Sequence, residues 1–172
     1  ETGLMWVMPS PNIDNWETSV VYPGQCLFER TNMSEGRGTT KPFLITGAPW
    51  VNAEKAADDL NSRGIRGAWF RPVYFIPRSA TTGNNRSGKP WNEMCGGVEI
   101  MLTDPAAFRS VEASLHIIDA YRKTSPDSLV WSPPMLIRKL NEPGVTVEDV
   151  VKACQDDVGE FMKQREKYLL YK

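Results

Sequence analysis

The sequence predicts an α+β fold: a single compact domain in which a mixed or antiparallel sheet packs with helices. Short apolar runs at residues 66–76 and 98–102 are typical of strands. Apolar residues at helical spacing recur over 106–123 and again from residue 146, which predicts a long C-terminal helix. No internal repeat and no linker divides the chain, so a single domain is expected.

The composition excludes several classes of protein. A length of 172 residues suits one domain, and 41% hydrophobic with 24% charged residues is ordinary for a globular protein. The net charge of -1 comes from interspersed charges, so neither nucleic acid nor an anionic membrane is an expected partner. No apolar run has the length of a membrane span. The start at Glu1, without methionine or signal pattern, indicates a piece of a longer protein.

In the first third of the chain, prolines predict an extended segment over residues 4–16. Pro23 is expected in the first turn of a short helix over 23–29. Glycines then predict a loop over 32–39 with unusual backbone dihedrals. A short strand is expected at 43–45.

The middle of the chain carries clearer signals. Asn52 caps a predicted helix over 53–62, and Gly64 ends it. A strand over 66–76 is followed by a long polar loop over 78–93. The helix over 106–123 is predicted to present one apolar face, formed by Phe108, Val111, Leu115 and Ile118.

Towards the C-terminus, Pro133-Pro134 is expected to open a short helix that runs to residue 140. Thr146 and Asp149 resemble a capping box at the start of the last helix. The residues expected to face inward from that helix are Val147, Val150, Val151, Cys154, Val158, Phe161 and Met162.

Neither a metal, a cofactor nor a nucleophile dyad is indicated. Cys26, Cys95 and Cys154 form no CxxC and are odd in number, which favours buried free thiols, with one disulfide as the alternative. The single histidine, His116, is expected as a solvated, ion-paired residue. The Gly-x-Gly at 36–38 lacks the strand and helix of a dinucleotide site.

Residues 22–50 hold the densest run of groups that could bind a polar ligand. Glu29 and Glu35 are candidate carboxylates for glycoside hydrolysis, and Glu29 is preferred as the candidate catalytic residue because it precedes the glycine-rich bend. Arg37 could clamp a substrate carboxylate in a bidentate manner. The alternative, equally weighted, is a structural loop in which Arg37 pairs with Glu29 or Glu35. The candidate binding residues are Tyr22, Thr31, Asn32, Ser34, Arg37, Thr39 and Trp50.

Three tryptophans could stack on the face of a sugar: Trp50, Trp69 and Trp91. The alternative for each is a place in the core. Core packing is favoured for Trp69, and the two interpretations are even for Trp50.

A series of short motifs runs through the first third of the chain: Pro9-Ser10-Pro11-Asn12, Tyr22-Pro23-Gly24, Glu29 to Thr39, Pro42-Phe43 and Gly47-Ala48-Pro49-Trp50. This series resembles the C-terminal half of the NamZ family of exo-β-N-acetylmuramidases. Arg30 departs from the pattern, where glycine is more usual, and could narrow or recharge the cleft. The resemblance covers nearly the whole chain.

The resemblance implies a bacterial enzyme that releases N-acetylmuramic acid from the non-reducing ends of peptidoglycan fragments. It implies that residues 1–172 form a C-terminal, cleft-forming domain, partnered by an N-terminal Rossmann-like domain of the same protein. The muropeptide's lactyl carboxylate would be a partner for Arg37. Part of the catalytic machinery would lie in the other domain, so this chain alone is expected to be inactive. The expected location is the cell envelope or the exterior.

Two alternatives to a shared catalytic cleft stay open. The chain could be a carbohydrate-binding module without a catalytic residue, or a purely structural or interaction domain. The last predicts a large exposed apolar patch and no sugar binding.

Overall fold

The computed structural model describes residues 3–78, 88–132 and 135–170. Contacts within the chain group into two compact units, Glu1–Ser132 and Pro133–Lys172. The first unit combines helices with a sheet, which confirms the predicted α+β class. None of the described helices is long and apolar enough to cross a bilayer.

The first unit begins with helix α1 (Trp16–Gln25), which continues into a 3₁₀ turn (Cys26–Arg30). After them come strand β1 (Ile45–Ala48), helix α2 (Ala53–Ser62), strand β2 (Ala68–Phe75), strand β3 (Cys95–Leu102) and helix α3 (Ser110–Thr124). The second unit comprises a 3₁₀ helix (Met135–Asn141), helix α4 (Val147–Ala153), helix α5 (Gln155–Arg165) and a final 3₁₀ turn (Glu166–Tyr168).

The three described strands form an antiparallel sheet in the order β1-β3-β2. Side chains alternate between the two faces of a strand, so alternate residues of a strand share one face of the sheet. Phe70, Val98 and Ile100 are buried and belong to the main apolar core together with residues of α2 and α3. Helix α2 packs against β2 and β3, and α3 packs against both α1 and α2.

A hydroxyl group from α3 ties two strands together. Tyr121 is fully buried, and its hydroxyl accepts a hydrogen bond from the backbone N–H of Val98 at 2.9 Å. The same hydroxyl donates to the carbonyl of Thr46 at 2.8 Å. Burial raises the pKa of Tyr121, so the hydroxyl keeps the proton that it donates. Helix α3 is therefore fixed against the β1–β3 pair by polar as well as apolar contacts.

The best predictions concern elements with local end signals. The side chain of Asn52 accepts a hydrogen bond from the N–H of Lys55 at 2.9 Å, and α2 has the predicted bounds. Gly64 follows with a φ of 65°, as expected of a residue that ends a helix. Strand β2 falls inside 66–76, and β3 begins three residues before the predicted start at Val98.

The prediction of a helix starting at Pro23 is wrong. Pro23 lies in the last turn of α1, which starts seven residues earlier, where the side chain of Asn15 accepts from the N–H of Thr18 at 2.8 Å. An asparagine cap fixed the start, and a proline close to the helix end removes only one backbone donor. Strand β1 also starts at Ile45 rather than Phe43, because Phe43 has a φ of 62°, which no strand accommodates.

Helix α3 corrects the expectation for His116. The histidine is buried, with 7% of its surface exposed, and its Nδ1 lies 3.3 Å from Nη1 of Arg63. Helix α3 contacts both α1 and α2, and residues 113–121 are all buried, so no solvated face is left there. The helix starts only at Ser110, and Val111 is 47% exposed, so it does not belong to the predicted apolar face.

The C-terminal helix is interrupted. The predicted capping box is confirmed, since Thr146 and Asp149 bond reciprocally. The N–H of Cys154 then bonds to more than one preceding carbonyl, and α4 ends there before α5 begins. Val147 and Val150 are buried as predicted, whereas the expectation is wrong for Val158, Phe161 and Met162, which are 50%, 60% and 48% exposed.

The three cysteines are free, as the odd count favours. Cys95 is buried, and burial with the nearby Glu93 raises the pKa of its thiol to about 12. Cys26 and Cys154 are half-buried. The predicted Pro133-Pro134 helix start lies outside the described residues, as does most of the predicted 78–93 loop.

The contact between α1 and α3 gives a test of the packing. A methyl group on Gly24 would lie 2.0 Å from the carbonyl oxygen of Ser110, so Gly24→Ala must separate the two helices. We expect it to lower the free energy of unfolding by roughly 3 kcal/mol in urea titrations. The matched control is Gly159→Ala in α5, where nothing lies within 4 Å and a gain of about 0.5–1 kcal/mol is expected. Equal effects of the two substitutions would contradict this packing.

Candidate functional site

A groove runs beside two chain segments that lie antiparallel to each other. The N–H of Asn32 donates to the carbonyl of Val130 at 3.1 Å, and the N–H of Ser132 donates to the carbonyl of Arg30 at 3.1 Å. Thr31 and Trp131 are paired between them. The groove has a volume of about 560 Å³. Its lining residues are Glu29, Arg30, Thr31, Asn32, Gly88, Val130, Trp131 and Ser132.

Thr31 and Asn32 shape this groove through bonds to the chain itself. The Asn32 side chain donates to the carbonyl of Ser128 at 2.7 Å and accepts from the N–H of Val130 at 3.0 Å. The buried Thr31 hydroxyl donates to the carbonyl of Phe28 at 2.7 Å and accepts from the N–H of Met33 at 3.0 Å. The Asn32 side chain therefore holds the two segments together, whereas the Thr31 hydroxyl fixes the bend of its own segment.

Four charged side chains form a linked series that ends at the groove. Glu29 accepts from Nη2 of Arg37 at 2.5 Å, and Nη1 of Arg37 donates to Glu35 at 3.0 Å. The other oxygen of Glu35 accepts from Nζ of Lys89 at 2.6 Å. The side chain of Glu35 is 4% exposed, whereas that of Glu29 is 39% exposed. We call Glu29, Arg37, Glu35 and Lys89 the charge series.

Arg37 lies over an aromatic ring within this series. Its guanidinium carbon is 4.8 Å from the centre of the Phe43 ring, and the Tyr22 ring meets Phe43 edge to face at 4.8 Å. Burial alone would lower the pKa of Arg37, but the hydrogen bond to Glu29 and the charge of Glu35 outweigh it and raise the pKa. Through its contact with Phe43, Tyr22 supports the ring that lies beneath Arg37. The pKa of Tyr22 is raised, chiefly by its hydrogen bond with Cys26.

Lys89 closes the series on its buried side. Its ammonium donates to the carbonyls of Phe28 at 2.7 Å and Met33 at 2.6 Å, as well as to Glu35. Burial lowers the pKa of Lys89, although the negative charge of Glu35 opposes that shift. The ammonium thus connects the charge series to the backbone on either side of the groove residues.

The glycine-rich loop has the unusual backbone that its sequence predicts. Gly36 and Gly38 have φ values of 80° and 78°. The Ser34 hydroxyl accepts from the N–H of Gly36 at 3.1 Å, and the Thr39 hydroxyl donates to the carbonyl of Gly36 at 2.5 Å. A methyl group on Gly38 would lie 2.1 Å from the carbonyl oxygen of Arg78. Ser34 and Thr39 therefore stabilise the turn that presents Arg37.

Comparison with known proteins identifies the family of this chain. Residues 20–171 match the family model described as exo-β-N-acetylmuramidase NamZ, C-terminal. The chain belongs to this family. It is 33% identical over 180 residues to the peptidoglycan β-N-acetylmuramidase NamZ of Bacillus subtilis strain 168, an alignment that covers 99% of the chain and 42% of that protein.

Solved structures agree with the match. The chain is similar to a DUF1343 family protein from Bacteroides fragilis NCTC 9343, with a TM-score of 0.82, 29% identity, and coverage of 99% of the chain and 46% of that protein. A second DUF1343 family protein from the same organism gives a TM-score of 0.66 at 29% identity, with coverage of 96% and 44%. The chain spans less than half the length of these relatives.

Within this NamZ C-terminal chain, the predicted site residues occupy four different places. Glu29, Thr31 and Asn32 line the groove. Arg37 lies behind Glu29, supported by Tyr22 through Phe43. Ser34 and Thr39 belong to the turn, and the last candidate, Trp50, packs partly buried against the core.

One of the three candidate tryptophans differs from its predicted place. Trp69 is 56% exposed, so the favoured core position is wrong. It lies opposite Met101 in the sheet, on the face that alternates away from buried Phe70. Trp91 is half-buried. Trp131, which is not one of the three candidates, is the tryptophan among the residues that line the groove.

Lys89 and Trp131 are the residues that sequence reasoning missed. Trp131 had a weak local signal, the apolar run Leu129-Val130-Trp131 just before two prolines. Lys89 had none, because it bonds Glu35 across 54 positions of the sequence. Among the described residues, no group of three or more His, Cys, Asp or Glu side chains is placed to hold a metal ion.

The two glutamates bound to Arg37 should differ sharply in their effect on stability. Removing the buried carboxylate in Glu35→Ala leaves Lys89 and Arg37 without a shared partner, and we expect a loss of about 3–5 kcal/mol in denaturant unfolding. Glu29→Ala, at the solvated end of the series, should cost less than about 1 kcal/mol. Similar losses for the two variants would show that burial does not distinguish these ion pairs.

Proposed function

We propose that this groove is the chain's share of a sugar-binding cleft that releases N-acetylmuramic acid from the non-reducing ends of peptidoglycan fragments. Membership of the NamZ C-terminal family makes the chain part of a cell-wall glycosidase family. The observation that carries the proposal is the position of Glu29. Its carboxylate is the acidic group among the eight lining residues and is partly open to solvent.

The lining offers the groups that a sugar requires. Ligand sites combine apolar surface with a few placed polar groups. The residues that line the groove include the apolar Trp131 and Val130 together with the polar Glu29 and Ser132. Glycoside hydrolysis proceeds through carboxylates that act as acid, base or nucleophile. We assign Glu29 as the candidate catalytic carboxylate of this chain.

The two arginines of the segment then take different roles. Both Nη atoms of Arg37 are bonded to glutamates, so a substrate carboxylate would have to compete with Glu29 and Glu35 for the guanidinium. We therefore assign Arg37 to the orientation of Glu29. Arg30 is exposed and lines the groove, and it is the cation placed to meet the lactyl carboxylate of muramic acid.

The remainder of the cleft would come from elsewhere in the protein. Because the chain covers only 42% of its Bacillus subtilis relative, we propose that an N-terminal Rossmann-like domain supplies further catalytic groups. In that arrangement the chain alone binds sugar without turning it over. With a peptidoglycan substrate, we propose a location in the bacterial envelope or outside the cell.

A non-catalytic carbohydrate-binding role is the second candidate. It is favoured by the 2.5 Å bond between Glu29 and Arg37, since a carboxylate held in this way can serve recognition as well as chemistry. The two roles predict different kinetic effects of the same substitution.

The test is Glu29→Gln in the full-length protein, assayed by release of N-acetylmuramic acid from a chromogenic N-acetylmuramide. Loss of a catalytic carboxylate should lower kcat by at least ~100-fold with little change in KM. Glu17→Gln, an exposed glutamate on α1, is the control and should retain the wild-type values. A raised KM with unchanged kcat would favour the recognition role, and unchanged values of both would remove Glu29 from the site.

A further inference from the structure

Lys89 occupies a place that links the groove to the buried end of the charge series. Its neighbour Gly88 lines the groove, and its own side chain is 11% exposed. We propose that Lys89 is the positioning residue that fixes the carboxylate of Glu29, an inference that rests on the proposed function of the groove. Two separate paths of contact lead from its ammonium group to that carboxylate.

The first path runs through the backbone. The ammonium donates to the carbonyls of Phe28 and Met33, which stand directly before and after the segment 29–32. These four residues supply half of the groove lining. Because one ammonium group holds both ends of the segment, a movement of the Lys89 side chain shifts the backbone position of Glu29.

The second path runs through side chains. Lys89 holds one oxygen of Glu35, the other oxygen of Glu35 holds Arg37, and Arg37 holds Glu29. Phe43 limits the movement of the guanidinium from below. The Glu29 carboxylate is thus oriented at its end by the same ammonium that fixes its backbone.

The chemistry of this position calls for a lysine. An ammonium group presents three donors from a single atom, and Lys89 uses them on three acceptors at 2.6–2.7 Å. A guanidinium is planar and presents its donors in a fixed fork, so it cannot converge on the same three acceptors. Arginine at this position would keep the charge but would lose at least one of the three hydrogen bonds, and with it one of the two paths of contact.

The chain contains a matched control for a purely structural ion pair. Glu99, on the central strand, is also buried and is held by one lysine and one arginine, Lys41 and Arg71. These residues are not among those that line the groove. Lys41→Met therefore removes the lysine of a buried glutamate without touching the charge series.

The first experiment measures the position of Glu29 directly. In the 172-residue chain labelled with ¹³C, the side-chain carboxyl resonance of Glu29 is assigned by its disappearance in Glu29→Gln. We expect Lys89→Met and Lys89→Arg each to shift this resonance beyond its line width, and Lys41→Met to leave it in place. An unshifted resonance in a folded Lys89→Arg protein would overturn the proposal, and this conservative variant decides the matter if Lys89→Met does not fold.

The second experiment uses kinetics in the full-length protein. A displacement of about 1 Å can cost on the order of 100-fold in rate, so Lys89→Met should lower kcat for the chromogenic N-acetylmuramide by that order, with KM changed far less. Lys41→Met should keep the wild-type kcat. A wild-type kcat in folded Lys89→Met would overturn the positioning role. If the wild-type protein itself releases no muramic acid, the proposed function fails, while the carboxyl resonance still decides whether Lys89 positions Glu29.

Discussion

The site is organised around the ion pairs that the buried carboxylate of Glu35 makes with Arg37 and Lys89. A charge so far from solvent is tolerated only when cations and hydrogen bonds compensate it, and Arg37 and Lys89 do so from opposite sides. Each of these cations also holds something else, Arg37 the Glu29 carboxylate and Lys89 the backbone at Phe28 and Met33. One desolvated charge is thereby linked, through its two cations, to the side chain and to the backbone of the groove-lining segment.

The sheet and helices supply the rigid frame for that charge. Ser34 and Gly47 exchange backbone hydrogen bonds, which fasten the start of the glycine-rich loop to β1. Strand β1 is in turn paired with β3 and bound through the Thr46 carbonyl to the hydroxyl of Tyr121. The loop is irregular, but its start is bonded to β1 and the chain enters the core again at Phe43, so its polar side chains can keep defined positions.

Membership of the NamZ C-terminal family bears on the proposed role of the groove. The chain aligns with less than half of its Bacillus subtilis relative, and its groove carries one acidic residue with a tryptophan and an exposed arginine. Both observations support the proposal that it forms one side of a cleft. The interior members of the charge series never reach the groove surface. They are linked to the Glu29 carboxylate through Arg37, and a carboxylate proposed as catalytic needs such restraint as much as it needs the right chemistry.

The sequence by itself determined the features that local signals encode: the α+β class, helix α2 between Asn52 and Gly64, the capping box at Thr146, and the positive φ of the loop glycines. It also indicated Glu29 as a candidate, because a carboxylate next to a glycine-rich bend can be recognised from the order of residues alone. Only the tertiary structure decided the burial of His116, the exposure of Trp69, and the contributions of Trp131 and Lys89, because these depend on which surfaces meet. Burial and long-range ion pairs join residues tens of positions apart, and no local periodicity records them.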